Sequence, residues 1–172
     1  MMSTHDKLVR LVIAALLAAA ITVMTAYLFH VPIPGTGGYI HFGDALIYLA
    51  ACLLPTPYAV GAAVVGAGLA DLLTAPMWLP ATVVIKALMV LPFTSRGERF
   101  LCRRNAAAVV VGGVITVGGY YLAEALLFGG WAAFLASITG NLIQSVGSAA
   151  IFLVLASTLD RVGLKRRLLA LA

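Results

Sequence analysis

Apolar runs long enough to enter a bilayer alternate along this chain with short polar or Gly/Pro-rich breaks. About 20 apolar residues cross a membrane as a helix. The pattern predicts six spans: Leu8–Phe29, roughly Phe42–Leu54, Tyr58–Thr74, Leu79–Phe93, Ala106–Phe128 and roughly Ala136–Leu159. The second and fourth are short, so they are either shielded by neighbouring helices or extended into their flanking loops. Pro55-Thr56-Pro57 turns the chain between spans two and three, and Ala75-Pro76 between three and four. The expected fold is an all-α membrane protein, one domain over residues 1–172, built as a compact bundle of six transmembrane helices.

Composition supports this. The chain has 172 residues, of which 63% are hydrophobic and only 10% charged, with a mean hydropathy of +1.08. A soluble domain of this size has no room to hide so much apolar surface. The first run is too long for a signal-peptide core, and Ala26-Tyr27-Leu28 is a poor cleavage site, so it is expected to stay as a helix.

The formal charge of +5 raises nucleic acid as a partner, but the placement of the charges argues for topology instead. Lys7 and Arg10 flank span one. Arg96, Arg99, Arg103 and Arg104 lie between spans four and five, and Arg161, Lys165, Arg166 and Arg167 follow span six. Six crossings put all of them on one side, which the positive-inside rule makes cytoplasmic, with both termini there and anionic lipid within reach. Cys52 and Cys102 fall at opposite predicted depths, which disfavours a disulfide.

Besides Arg10, which opens span one, four charged residues fall inside the spans: Asp44, Asp71, Lys86 and Glu124. A charge at the bilayer centre costs about 2.5–3.5 kcal/mol on insertion scales, so such residues usually face a protein interior or a water-filled site. All four lie in the outer half of their spans. Asn141 and Gln144, spaced i, i+3 on one face of span six, lie at the same depth. Aromatics gather there too: Tyr39, Phe42, Tyr48, Trp78, Tyr120, Tyr121, Trp131 and Phe134. Shared depth points to a site opening outward, and stacking faces beside amide and carboxylate partners suit a small, flat, polar heterocycle. Plainer readings stand beside this one. Asp71 and Lys86 are placed to form a structural ion pair between spans three and four. Asp44 opens span two and suits a helix cap. Trp78 and Trp131 suit interface anchors. His30 and His41 lack metal-ligand spacing. The loop Pro32-Ile33-Pro34-Gly35-Thr36-Gly37-Gly38 is either a lid or a plain connector.

Span one carries two small-xxx-small pairs, Ala14/Ala18 and Ala15/Ala19, which let another helix approach closely in lipid. No Walker A sequence, Gly-x-Ser-x-Gly elbow or His-Glu-x-x-His motif is present, and no inverted repeat shows. A binding site without an engine suggests a subunit powered by partners.

Several segments carry a family resemblance. Gly38-Tyr39-Ile40-His41-Phe42-Gly43-Asp44-Ala45-Leu46-Ile47 resembles the loop-to-second-helix segment of substrate-binding S components of energy-coupling factor (ECF) transporters, closest to the riboflavin-transporter-like group. Gly68-Leu69-Ala70-Asp71-Leu72-Leu73, Pro80-Ala81-Thr82 with Ile85-Lys86-Ala87-Leu88-Met89, and Ala136-Ser137-Ile138-Thr139-Gly140-Asn141-Leu142-Ile143-Gln144 extend it over nearly the whole chain.

The resemblance implies a non-enzymatic subunit in a prokaryotic plasma membrane, without a cofactor of its own. It would capture a vitamin or precursor (riboflavin, a pyridoxine-like compound or a hydroxymethyl pyrimidine) from outside. Carried over, it places the substrate on Lys86, Glu124, Asn141 and Gln144, under the Pro32–Phe42 loop as lid; Asp44, Tyr120, Tyr121 and Tyr39 join the candidate substrate contacts by their shared depth. Ala14, Ala18, Ala15 and Ala19 would dock a coupling subunit that carries two ATPases. The alternatives from other classes are a stand-alone, oligomeric proton-coupled transporter using Glu124, and an intramembrane enzyme using Glu124 or Asp44 as a base.

Overall fold

A computed structural model describes residues 3–28, 30–33, 38–129 and 135–169. Seven α-helices occur among them: α1 (Thr4–Ala26), α2 (Asp44–Leu53), α3 (Thr56–Thr74), α4 (Leu79–Val90), α5 (Arg103–Phe128), α6 (Leu135–Arg161) and α7 (Leu164–Leu169). A short antiparallel hairpin, β1 (Val31–Pro32) and β2 (Tyr39–Ile40), follows α1, and a 3₁₀ turn at Pro76–Trp78 leads into α4.

Local signals set the helix ends. The Ser3 hydroxyl accepts from the Asp6 amide while the Asp6 carboxylate accepts from the Ser3 amide, a capping box that starts α1. Prolines occupy the first turns of α3 and α4, where no amide donor is needed. Gly129, with φ of 70°, ends α5 in the left-handed conformation that glycine adopts without penalty. α5 begins three residues ahead of the expected start, so Arg103 and Arg104 lie in its first turn.

The outer surface of the bundle is apolar, and Asp44, Asp71, Lys86 and Glu124 are buried beside an apolar core. Val110 and Leu126 are 69% and 75% exposed, whereas Asp44 and Lys86 are fully buried. Among the described residues, α1, α3, α5 and α6 are long and apolar enough to cross a membrane, and α2 and α4 are shorter apolar helices. This is a helical membrane protein. Ten residues give α2 a length of about 15 Å, half a hydrocarbon core. The short helix is shielded rather than extended: it packs against α1, α3, α4 and α6, and eight of its residues are buried. Its ends therefore meet protein, where irregular backbone is tolerated.

α1 and α3 approach closely because Gly66 has no side chain; a Cβ there would lie 2.7 Å from the Ala18 carbonyl oxygen and 2.8 Å from Ile21 Cβ. Thr22 Oγ1 bridges the seam, donating within 2.9 Å of Gly66 O and 3.0 Å of Ala18 O. Ala14 and Ala18 are buried at this seam, whereas Ala15 and Ala19 are exposed. The four alanines expected as one docking face thus divide, two serving internal packing.

The basic clusters meet at one end. Asp160 accepts from the Phe100 and Leu101 amides at 2.7 and 2.9 Å, and Lys165 Nζ donates to Arg99 O at 3.1 Å. Asn105 holds Thr94 by both amide groups. Arg10, Arg96 and Leu168 border a common groove at this end. The hairpin lies at the opposite end, seated on α6 through glycine notches: a Cβ on Gly140 would meet Ile33, and one on Gly147 would meet Phe42.

The α1–α3 seam yields a paired prediction. Gly66→Val should cost about 1–3 kcal/mol through overpacking, whereas Gly61→Val, which has open space beside it, should be nearly silent. Thermal unfolding in detergent reads both; equal melting temperatures would show that the seam is not tightly packed.

Candidate functional site

The end of the bundle remote from the basic clusters holds a narrow polar cleft with a cavity volume of about 40 Å³. The hairpin covers it with Ile33, Gly38, Tyr39 and His41. Asp71 of α3, Trp78 of the 3₁₀ turn and Thr82 of α4 line one side. Tyr120 and Glu124 of α5 face Ser137, Asn141 and Gln144 of α6.

The cleft rests on a buried ion pair. Lys86 Nζ lies 2.6 Å from Asp44 Oδ1, and neither side chain is exposed. The other carboxylate oxygen, Asp44 Oδ2, accepts from Gln144 Nε2 at 3.0 Å. This fixes the amide's orientation, so Gln144 Oε1 accepts from the His41 backbone amide at 3.2 Å. One connected set thereby ties α2, α4, α6 and the hairpin together.

His41 is also fixed. The Gly43 amide donates to His41 Nδ1 at 3.1 Å, so this nitrogen is unprotonated and the neutral ring carries its hydrogen on Nε2. Burial pushes the imidazole pKa down to about 4, keeping it neutral at pH 7. At the mouth, Tyr39 donates to Asp71 Oδ1 at 2.6 Å, and its ring stacks on His30 with centroids 4.0 Å apart. Thr82 and Tyr120 hydroxyls pair at 2.8 Å, and Asn141 Nδ2 donates to Ser137 Oγ at 3.1 Å. Trp78 meets Tyr120 edge to face, and Lys86 Nζ lies 5.3 Å from the Tyr120 ring centroid.

Glu124, Asn141, Gln144, Tyr120 and Tyr39 are therefore brought to one cleft. Lys86 and Asp44 lie beneath it instead of lining it, and Tyr121 does not line it either. The Asp71–Lys86 ion pair, one of the two readings of these residues, does not form: the inward faces of α2 and α4 give Lys86 to Asp44, and Asp71 takes the Tyr39 hydroxyl. Asp44 does not cap α2. Gly43 occupies the cap position, and the carboxylate turns inward. Tyr48, one turn from Asp44, faces the apolar core against Phe93 and Phe152, with ring centroids at 5.2 and 5.7 Å. Trp78 is 4% exposed and borders the cleft, which a lipid-interface anchor would not do. Trp131, Phe134 and the loop segment 34–37 lie outside the described residues.

Thr82 and Ser137 carry no site role in the sequence reading, and His41 enters it only as a metal-ligand candidate without the spacing. The first two stand four residues before Lys86 and Asn141, hence on the same helix faces, a spacing that carries the signal. His41 had no such marker, because its part is set by the hairpin fold. No group of three or more His, Cys, Asp or Glu is placed to hold a metal among the described residues.

Over residues 5–161 the chain matches the family described as the ECF-type riboflavin transporter, S component. It belongs to that family. This S component is also 34% identical over 129 residues to a Pyrococcus woesei protein described as an uncharacterized protein in gap 3'region, an overlap covering 74% of this chain and 85% of the relative. Family membership makes the chain a membrane transport subunit that works with a vitamin-like ligand and ECF partners.

The ion pair generates a test. Lys86→Met strands a buried carboxylate and should cost about 3–5 kcal/mol. Adding Asp44→Leu should recover much of that loss, because a buried pair replaced by apolar groups is often close to neutral. Thermal melts of the two single variants and the double variant give the coupling; additive losses would mean that the two groups do not depend on each other.

Proposed function

We propose that this S component captures a vitamin or vitamin precursor in the cleft from the outer side of a prokaryotic plasma membrane. Candidates are a hydroxymethyl pyrimidine, a pyridoxine-like compound or riboflavin. In this reading the bundle crosses the membrane six times with both termini in the cytoplasm. The basic clusters gathered at one end, away from the cleft, support that orientation. α2 and α4 complete the crossings as short helices sheltered within the bundle.

The observation that carries the proposal is the cleft itself. Buried carboxyl, amide, hydroxyl and aromatic groups from α3, α4, α5 and α6 converge under the β1–β2 hairpin in a bundle whose outer surface is apolar. Glu124, Asn141, Gln144, Tyr120 and Tyr39 serve as ligand contacts, with Asp71, Trp78, Thr82, Ser137 and His41 added by the geometry. Asp44 and Lys86 position Gln144 from below. The hairpin acts as the lid, and its seating on Gly140 and Gly147 gives it a defined closed position.

No nucleophile or metal is required of such a subunit, and it needs no cofactor of its own. A transmembrane coupling subunit docks on α1, and two ATPases attached to it hydrolyse ATP to drive release inside. The docking surface uses the exposed Ala15 and Ala19 with the neighbouring apolar side chains Leu11 and Leu16. Small residues there admit a close helix from lipid.

Purified protein in detergent should bind one of the three candidates one-to-one without ATP. Glu124→Ala and Asn141→Ala should each weaken that binding roughly tenfold or more. Ala15→Trp with Ala19→Trp should leave binding intact but abolish uptake in cells that also carry the coupling subunit and ATPases. Calorimetry and radiolabelled uptake read the two effects. Unchanged affinity in both cleft variants would remove the cleft as the binding site.

A further inference from the structure

Counting hydrogen-bonding capacity around the cleft separates groups already satisfied from groups still waiting. Asp44 is satisfied at both oxygens, by Lys86 and Gln144. Gln144 is used at both ends of its amide. Asn141 gives one of its two amide hydrogens to Ser137. Three buried atoms on the cleft's own lining residues have no hydrogen-bond partner: Asp71 Oδ2, Glu124 Oε2 and Trp78 Nε1. Their residues are only 3–4% exposed. Leaving a buried polar group unpaired costs about 1–3 kcal/mol, and more when it is charged. Thr25, Tyr48, Ser145 and Ser148 also carry unpartnered hydroxyls, but these three atoms belong to residues that line one cleft, and they point to the chemistry that would fill it.

Two of these atoms are carboxyl oxygens, which accept hydrogen bonds when the group is ionised; the third is an indole N–H, which only donates. The cleft's lining includes no Lys or Arg. The nearby Lys86 ammonium is committed to Asp44. His41 supplies no balancing charge, because its Nδ1 is held as an acceptor by the Gly43 amide. A complementary ligand brings at least two N–H donors, or a positive charge, together with one acceptor.

We infer that the cleft selects a heterocycle carrying an amino group, of the aminopyrimidine type, over a flavin or an anionic vitamin form. This rests on the substrate-capture reading above and narrows it. An exocyclic amino group supplies two N–H donors for carboxylates approaching from α3 and α5. The adjacent ring nitrogen supplies an acceptor for the Trp78 indole. Tyr120 and Trp78 offer aromatic surface for the ring. The dione edge of an isoalloxazine offers a single N–H between two carbonyl oxygens, which face carboxylates unfavourably. A phosphate or carboxylate on the ligand adds like-charge repulsion in a cleft with no free cation among its lining residues.

The test is a calorimetric titration of the purified full-length protein with three probes. They are 4-amino-5-hydroxymethyl-2-methylpyrimidine, its 4-oxo counterpart lacking the amino group, and riboflavin. The amino compound should bind roughly ten- to a hundredfold more tightly than the 4-oxo compound, the loss expected for charge-assisted hydrogen bonds. Glu124→Gln and Asp71→Asn should each weaken the amino compound more than the 4-oxo compound and so remove most of that preference. Melting temperatures of both near-isosteric variants control for folding. Equal binding of the amino and 4-oxo compounds, or tighter binding of riboflavin, overturns the amino preference and leaves substrate capture standing. If no probe binds, mass spectrometry of the small molecules released on denaturing freshly purified protein decides. A released heterocycle bearing an amino group supports the inference, and one without an amino group overturns it. The absence of any released molecule overturns substrate capture as well.

Discussion

A lysine and an aspartate, both fully buried, face each other at 2.6 Å in the middle of this bundle, and the upper half of the molecule is arranged around them. Each ion alone carries a desolvation penalty of several kcal/mol, repaid only when geometry is good and the remaining polar atoms are satisfied. Both conditions are met. Lys86 reaches Asp44 from α4, and Gln144 reaches the other carboxylate oxygen from α6. Gln144 then has one orientation available, and it presents its carbonyl to the hairpin at His41. A charge pair that looked like an expense in lipid thus acts as the fixed point from which the cleft floor and its cover are positioned.

The same logic separates two kinds of buried polarity. Around Asn105, Asp160 and Lys165, at the basic end, every named contact is to backbone of the 94–102 segment, and the effect is structural closure. At the opposite end Asp44 and Gln144 are satisfied underneath, and three unpartnered atoms, on Asp71, Glu124 and Trp78, belong to residues that line the cleft. A transport subunit needs this asymmetry: one end closed and anchored, the other able to exchange a ligand for the cover of a small hairpin. The exposed apolar flanks of α1, α5 and α6 complete the picture, since they suit lipid and neighbouring helices better than water.

Much of this was legible in the sequence because hydrocarbon makes polarity conspicuous. The shared depth of Glu124, Asn141 and Gln144 follows from span boundaries alone, and the structure gathers them with Tyr39 and Tyr120 around one cleft. Pairings were not legible. Asp44 and Asp71 are both plausible partners for Lys86 by depth, and only the inward rotation of α2 and α4 decides between them. Tyr48 shares a helix face with Asp44 in sequence, yet one turn deeper that face meets the apolar core, where Gly112 leaves space for its ring. The alanines of α1 show the same limit. Ala14/Ala18 and Ala15/Ala19 have identical spacing, but Gly66 on α3 draws the first pair inward and leaves the second facing out.

Trp78 offers the most direct reading of the central claim, that the polar cleft is a ligand site. Its indole borders the cleft with an unpartnered N–H, and the chain's other tryptophan, Trp131, can be replaced by phenylalanine. Tryptophan fluorescence of Trp131→Phe protein, titrated with the heterocyclic candidates in detergent, should change saturably at one ligand per chain. Glu124→Ala in that background should shift the curve to higher concentration. A change that never saturates, or a saturable one that ignores Glu124→Ala, would contradict the account.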